Sequence, residues 1–378
     1  DGRAHNNLGA SLWQIGDAGG AVDAYKKAIH FEPNAAEAYI NLGVAYYEYG
    51  RLDEAKRVYE RAYELGGNDG IRVRVATMTL PIMTSREAIA HDRKFFRQNI
   101  MSLMRENPPP VLRDPVKDVE RVHFYFVYHG ENELENQRMM ANFYLSTGND
   151  GMLRYVTPKL RQFPFGGVQV LAEDGLAPAA DVAAADHTSL YAPSDSIRRA
   201  AREGKIVVGF ISKFLVVNHA HGQLLEGIIR ELDRTQFHVV VLMIPNPQNT
   251  ILPSIKEHAD EIVDLPFALV AVRSMIGALG LDILVYADML SEPLSYFMGT
   301  GTRLAPVQAV FWGNPLTSGS PDNIDYFITG EWMEPEGRSG QHDDGDGQYS
   351  EQAVRLRGQG IYYDRIPVPK EGTPFETV

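Results

Sequence analysis

Two stretches decide how this chain begins: AHNNLGASLWQIGDAGGAVDAYKKAIHFEP (4–33) and AYINLGVAYYEYGRLDEAKRVYERAYELGG (38–67) superimpose without a gap at a spacing of 34 residues. Leu8 and Gly9 fall on Leu42 and Gly43, Ala21 on Ala55, Tyr25 on Tyr59 and Ala28 on Ala62. Small residues recur where two helices would cross closely, and aromatics recur where the space between them must be filled. The pattern predicts a pair of helices per unit, stacked into a solenoid.

Five positions matched twice at this period form the tetratricopeptide pattern. One departure is that Pro33, which closes the first unit, becomes Gly67 in the second. A single repeat cannot bury its own apolar face, and about three are usually needed. With two visible, and with the chain opening on Asp1 rather than Met, the expectation is a piece of a longer repeat array.

Composition bounds the remainder. The 378 residues suffice for two or three domains, and 44% hydrophobic content is ordinary for a globular protein. Net charge is −13, from 36 basic and 49 acidic residues, with no Lys/Arg-rich run. That argues against a nucleic-acid backbone or an anionic membrane surface as partner. Without cysteine there is neither a disulfide framework nor thiol chemistry, and a reducing compartment is compatible. No apolar run is long enough to span a membrane, and an intracellular place, cytoplasmic or nuclear, is expected.

Three zones follow: residues 1–70, 71–203 and 204–378. The middle zone reads as mostly helical. SREAIAHDRKFFRQNIMSLMREN (85–107) has apolar residues at helical spacing with Ser85 as N-cap, and Pro108 to Pro110 end it. VERVHFYFVYHG (119–130) alternates and is aromatic, which predicts a short strand or extended piece. NELENQRMMANFYLS (132–146) resumes a helix, and Gly175 to Asp186 reads as a linker.

The third zone alternates apolar strands with helices. KIVVGFIS (205–212), FHVVVLMI (237–244), DILVYA (282–287), VQAVFW (307–312) and IDYFIT (324–329) read as strands. HGQLLEGIIRELDR (221–234) and FALVAVRSMIGALG (267–280) read as helices. This predicts βαβ units, a parallel sheet and a Rossmann-like lobe, whose ligands bind beyond the carboxyl ends of the strands. GQHDDGDGQYSE (340–351) lacks calcium-loop spacing and reads as a solvated insertion, and no metal site is expected.

Three loops after strand ends qualify for chemistry. SKFLVVNHAHG (212–222) puts Asn218, His219 and His221 at the start of a helix. The positive end of the helix dipole there disfavours imidazolium and keeps a neutral ring; the bland alternative is a helix cap beside a surface histidine. YADMLSEPLS (286–295) carries Asp288, which reads equally as an N-cap. WGNPLTSGSPDN (312–323) offers Pro315, Thr317 and Ser318, where hydroxyls and free N–H groups can hold phosphate or sugar, or form only an irregular turn. GTGTRL (299–304) lacks a final Gly and precedes a strand, so it is not a dinucleotide fingerprint.

LAPVQAVFWGNPLTSG (304–319), IDYFIT (324–329) and QYSEQAVRL (348–356) resemble the first catalytic lobe of the protein O-linked N-acetylglucosamine transferases and the related SPINDLY proteins. The residues that carry the likeness are Arg303, Ala305, Pro306, Gln308, Trp312, Gly313, Pro315, Thr317, Ser318, Gly319, Asp325, Tyr326, Gln348, Tyr349, Ser350 and Glu351. VGFISKFLVVNHAHGQLL (208–225) resembles the family's first βα unit and puts His219 on the histidine near sugar transfer. The resemblance implies a tetratricopeptide solenoid followed by a Rossmann-like lobe, the N-terminal half of a GT-B glycosyltransferase. It implies transfer of a sugar to Ser or Thr of proteins. The donor substrate would be UDP-N-acetylglucosamine, or GDP-fucose as in SPINDLY, with no cofactor.

Asn7 and Asn41 precede the two Leu-Gly pairs, where helix propensity does not favour Asn; they read either as local side-chain bonds to the backbone or, as the resemblance implies, as an asparagine ladder that grips peptide backbone. Two departures stand out. The loop before His219 is one residue longer than the common form, and YADML replaces a Gly, an aromatic or His, and a Thr. The family's second lobe would lie beyond Val378, so residues 1–378 alone are expected to transfer no sugar. The competing expectation is a tetratricopeptide interaction scaffold with a degenerate lobe.

Overall fold

The computed structural model describes residues 1–149, 151–157, 160, 191–217, 219–246, 250–312, 316–333 and 346–361. Asn218, Pro315, the Gly175–Asp186 stretch and residues 340–345 of the 340–351 insertion lie outside the described residues.

The solenoid is built from α1 (Gly2–Gln14), α2 (Ala18–Phe31), α3 (Ala36–Glu48) and α4 (Leu52–Glu64), with α5 (Asp69–Ala76) packed on α4. The side chains of Asp1 and Asp17 accept the orphan N–H groups that open α1 and α2. The repeat chemistry is explicit at the glycines. A Cβ on Gly9 would lie 2.5 Å from the Tyr25 ring, and one on Gly43 would lie 2.7 Å from the Tyr59 ring. Each glycine therefore lets an aromatic lie directly on the facing helix, and both tyrosines are buried. Ile71 of α5 joins this core, so the helical stack runs past residue 70.

Next come α6 (Arg86–Met104), capped by the Ser85 hydroxyl, α7 (Pro115–Val119) and α8 (Leu134–Ser146). The stretch expected to be extended is instead a 3-10 helix at Phe124–His129. Its alternation of aromatics reflects two partners rather than two faces of a sheet. Phe126 packs edge-on against Phe96 of α6, while Tyr125 stacks on Tyr47 of α3.

A two-residue strand, β1 (Tyr155–Val156), precedes α9 (Asp195–Arg202), which packs on the first strand of the lobe. The lobe runs β2 (Ile206–Ser212), α10 (Ala220–Glu231), β3 (Phe237–Met243), α11 (Pro253–His258), β4 (Glu261–Asp264), α12 (Leu269–Leu279) and β5 (Ile283–Tyr286). It continues with α13 (Pro293–Gly301), β6 (Thr302–Arg303), β7 (Val307–Phe311), β8 (Tyr326–Gly330) and β9 (Gln352–Leu356). Seven strands form one sheet in the order β4-β3-β2-β5-β7-β8-β9, every pair parallel. The order in which successive strands are added reverses at the β2–β5 boundary, which is the topological switch point.

Both faces of the sheet are buried, which explains why its strands read as continuous apolar runs. Val208, Phe210, Val239 and Val241 face the core that includes Leu224 and Leu225 of α10. Val207, Ile211, Val240 and Leu242 face a larger core that includes Phe96, Met140, Tyr144, Tyr296 and Phe297. The middle zone is therefore one layer of the lobe's own sandwich. β1 pairs with β6, Tyr155 beside Thr302, and adds a backbone tie across the same boundary. Among the described residues no helix is long and apolar enough to cross a membrane.

Candidate functional site

The three loops singled out in the sequence emerge from β2, β5 and β7, which are adjacent in the sheet. Parallel pairing puts their carboxyl ends on one edge, so these loops share a rim at the switch point.

His219 is the N-cap of α10, with φ −118° and ψ 137°. Its Nδ1 accepts the backbone N–H of His221 at 3.3 Å. The ring stacks on Phe214, with centroids 4.3 Å apart and planes 10° apart. Burial lowers the His219 pKa. His221 is driven down to about 4 by burial and by the neighbouring His219 ring. Both rings are neutral near pH 7, in line with their place at a helix start.

The histidines line a cleft of about 570 Å³. Its other wall comes from the solenoid and the middle zone: Tyr47, Glu48, Arg121 and Tyr125. Arg121 pairs with Glu48 at 2.5 Å and lies over the Tyr47 ring at 4.5 Å. Nothing in the sequence announces this wall, because its members are far from the histidines in the chain and carry no motif.

Asp288 is fully buried beside the switch point. It accepts from the Ser212 hydroxyl at 2.9 Å, the Lys213 N–H at 2.8 Å and the Ser295 hydroxyl at 2.7 Å. Its role is to tie the loop after β2 to α13, and the N-cap itself is Glu292, which accepts the Ser295 N–H at 2.9 Å. Burial raises the pKa of Asp288. Burial and the nearby Asp288 raise Glu292 to about 7.

Thr317 and Ser318 correct the expectation of free hydroxyls. Both are buried, and both hydroxyls donate to the Glu351 carboxylate. Thr317 Oγ also accepts the Ser350 N–H at 2.9 Å. These groups close the loop on itself and leave no hydroxyl for a ligand. Arg303 and Gln308 are likewise internal. Arg303 makes two bonds to Asp325, at 2.6 and 2.7 Å, and the Gln308 N–H donates to the same carboxylate at 2.8 Å.

The two repeat asparagines differ in surroundings. Asn41 is half-buried and donates to Asn6 Oδ1 at 2.9 Å, and Asn6 donates in turn to Glu37 at 3.2 Å. Asn7 is exposed, and its side chain has no partner among the described residues.

Comparison with known proteins fits this geometry. Residues 12–75 match a tetratricopeptide-repeat family. No curated protein matches by sequence. Among solved structures, a mutant of the Thermobaculum terrenum O-GlcNAc transferase is similar with a TM-score of 0.51 at 18% identity. The match covers 99% of this chain and 61% of that one, so this chain spans less than two thirds of the relative. At that identity the likeness establishes the fold: a tetratricopeptide solenoid leading into a parallel α/β lobe.

Proposed function

We propose that the chain forms the acceptor-binding solenoid and first lobe of a protein glycosyltransferase. It would transfer a sugar, N-acetylglucosamine from UDP-N-acetylglucosamine, to Ser or Thr side chains. The observation that carries this reading is the cleft itself: the solenoid's Tyr47 and Glu48 face His219 and His221 across it, at the switch point of the sheet. A protein threaded along the solenoid reaches the histidines by leaving it at that end. The exposed Asn7 amide, with two donors and an acceptor, suits recognition of peptide backbone whatever the sequence. Asn41 has part of its amide engaged and contributes what remains. His219 is the residue proposed to act in transfer; Thr317 and Ser318 serve by closing their loop on Glu351 rather than by touching the sugar. GDP-fucose is the alternative donor.

The test is transfer from radiolabelled UDP-N-acetylglucosamine to protein by the full-length enzyme. His219→Ala should lower kcat by about 100-fold, the scale of a lost acid–base or positioned hydrogen-bonding group. An unchanged kcat in a folded variant removes His219 from the chemistry.

One observation favours a second reading, a tetratricopeptide scaffold whose lobe no longer turns over sugar. The Thr317 and Ser318 hydroxyls, which would have offered hydrogen bonds to a sugar, are both spent on the buried Glu351 carboxylate. Absence of transfer with either nucleotide sugar, together with retained binding of partner proteins, would establish that reading.

A further inference from the structure

We infer that His221 is the positioning residue of this site: it holds His219 in the tautomer protonated on Nε2, so that His219 faces the cleft as a hydrogen-bond donor rather than as a base. The argument is one of donor and acceptor accounting. A backbone N–H can only donate, and the His221 N–H meets His219 Nδ1 at 3.3 Å, so that nitrogen is bare. A neutral imidazole carries one proton, which places it on Nε2. The His221 ring reinforces this choice. Its Nδ1 lies 3.2 Å from His219 Nδ1, where two bare nitrogens would repel and a proton on His221 Nδ1 makes a second bond into the same acceptor.

The rest of the surroundings agree. Phe214 fixes the plane of the His219 ring by stacking on it at 4.3 Å. His221 Nε2, left bare by this assignment, is buried without a partner among the described residues. His219 Nε2 has no partner among them either, and the residue lines the cleft. Neutral rings are the forms that burial favours in both histidines. The cleft group that pairs with His219 is therefore an oxygen with a lone pair to offer, such as a phosphoryl oxygen of a nucleotide sugar. This assignment of a ligand rests on the transferase reading; the tautomer does not.

The test uses the chain labelled with ¹⁵N-histidine and long-range ¹⁵N–¹H correlation spectra at neutral pH, with His219→Asn to identify the signals. The Nε2–H form should dominate at His219 by about tenfold or more, the bias of one net hydrogen bond. His221→Phe keeps a ring but removes the second donor, and the excess should fall severalfold. His221→Asn returns an N–H near the same place and should restore it. A proton on His219 Nδ1, or an undiminished excess in His221→Phe, overturns the inference. Should His221→Phe lose its near-ultraviolet dichroism, the parent and His221→Asn spectra decide. No sugar is present in these spectra. A failed transfer assay would overturn the proposed function alone, and a wrong tautomer would overturn this inference alone.

Discussion

The hydroxyl of Thr317 donates to the Glu351 carboxylate at 2.7 Å, tying the loop after β7 to the residue that precedes β9. The same carboxylate accepts the Ser318 N–H at 2.7 Å. Removing it strands buried donors, and each costs about 1–3 kcal/mol. Glu351→Ala should therefore lower stability by roughly 2–4 kcal/mol, and Glu351→Gln, which keeps an acceptor, by less. Urea titration followed by fluorescence measures both. Equal stability of Glu351→Ala and the parent would show the loop held by other contacts.

Gly319 has φ +72°, and a Cβ there would lie 2.3 Å from the Gln137 backbone of α8. Gly319→Ala must both strain the backbone and push the loop off α8. The expected loss is about 2 kcal/mol or more, read as a lower Tm. A change in Tm within error would mean that α8 yields at this point.

Glu292 has its pKa raised to about 7. A raised carboxyl favours the fold while protonated, so its contribution is complete below the ordinary Glu range and is lost as pH rises through about 7. Glu292→Gln keeps an oxygen for the Ser295 N–H and abolishes the charge. Relative to the parent, it should gain stability between mildly acid and alkaline pH, on the order of 2–3 kcal/mol by pH 8. Parallel Tm-versus-pH curves for the two proteins would refute this.

His123 behaves in the opposite sense. Burial pushes its pKa down to about 4, and its Nε2–H donates to Gln137 Oε1 at 2.6 Å. The neutral ring supports the fold above its ordinary pKa, and that support is lost as pH falls toward 4. His123→Gln should flatten this acid limb of the Tm profile, and an unaltered limb would assign it to other groups.

The asparagines separate two roles. Asn41→Ala breaks the bond to Asn6 and should cost about 1 kcal/mol, whereas Asn7→Ala should leave stability unchanged. On the transferase reading proposed above, both changes together should reduce transfer to intact protein and spare a short peptide. Equal activity on both acceptors would confine these residues to structure.

Much of the architecture was legible because periodicity reports burial. The 34-residue repeat encodes the Gly9–Tyr25 and Gly43–Tyr59 contacts directly, and the apolar runs encode a sheet covered on both sides. β4 and β9 are not legible because EIVD and QAVRL, at the two opposite edges of the sheet, have only partly buried or exposed residues to carry a pattern. The 3-10 helix at Phe124–His129 misled for the opposite reason, since aromatics serving two partners imitate alternation. In the candidate site, the position of His219 followed from strand–loop–helix order. The inward turn of Thr317 and Ser318 did not, because their partner Glu351 lies 33 to 34 positions away and nothing local announces it.

The reversal of strand order at β2 also bears on how the chain is made. β2 acquires its partner β3 soon after synthesis, but its other edge waits for β5, whose leading Asp282 meets Val207 across 75 positions of chain. At a ribosome's pace of about 5–20 residues per second, that open edge persists for roughly 4–15 s. An unpaired apolar strand invites other nascent chains during that interval. The strand order that opens a crevice at the switch point thus also leaves β2 half-paired while the chain up to β5 is being made.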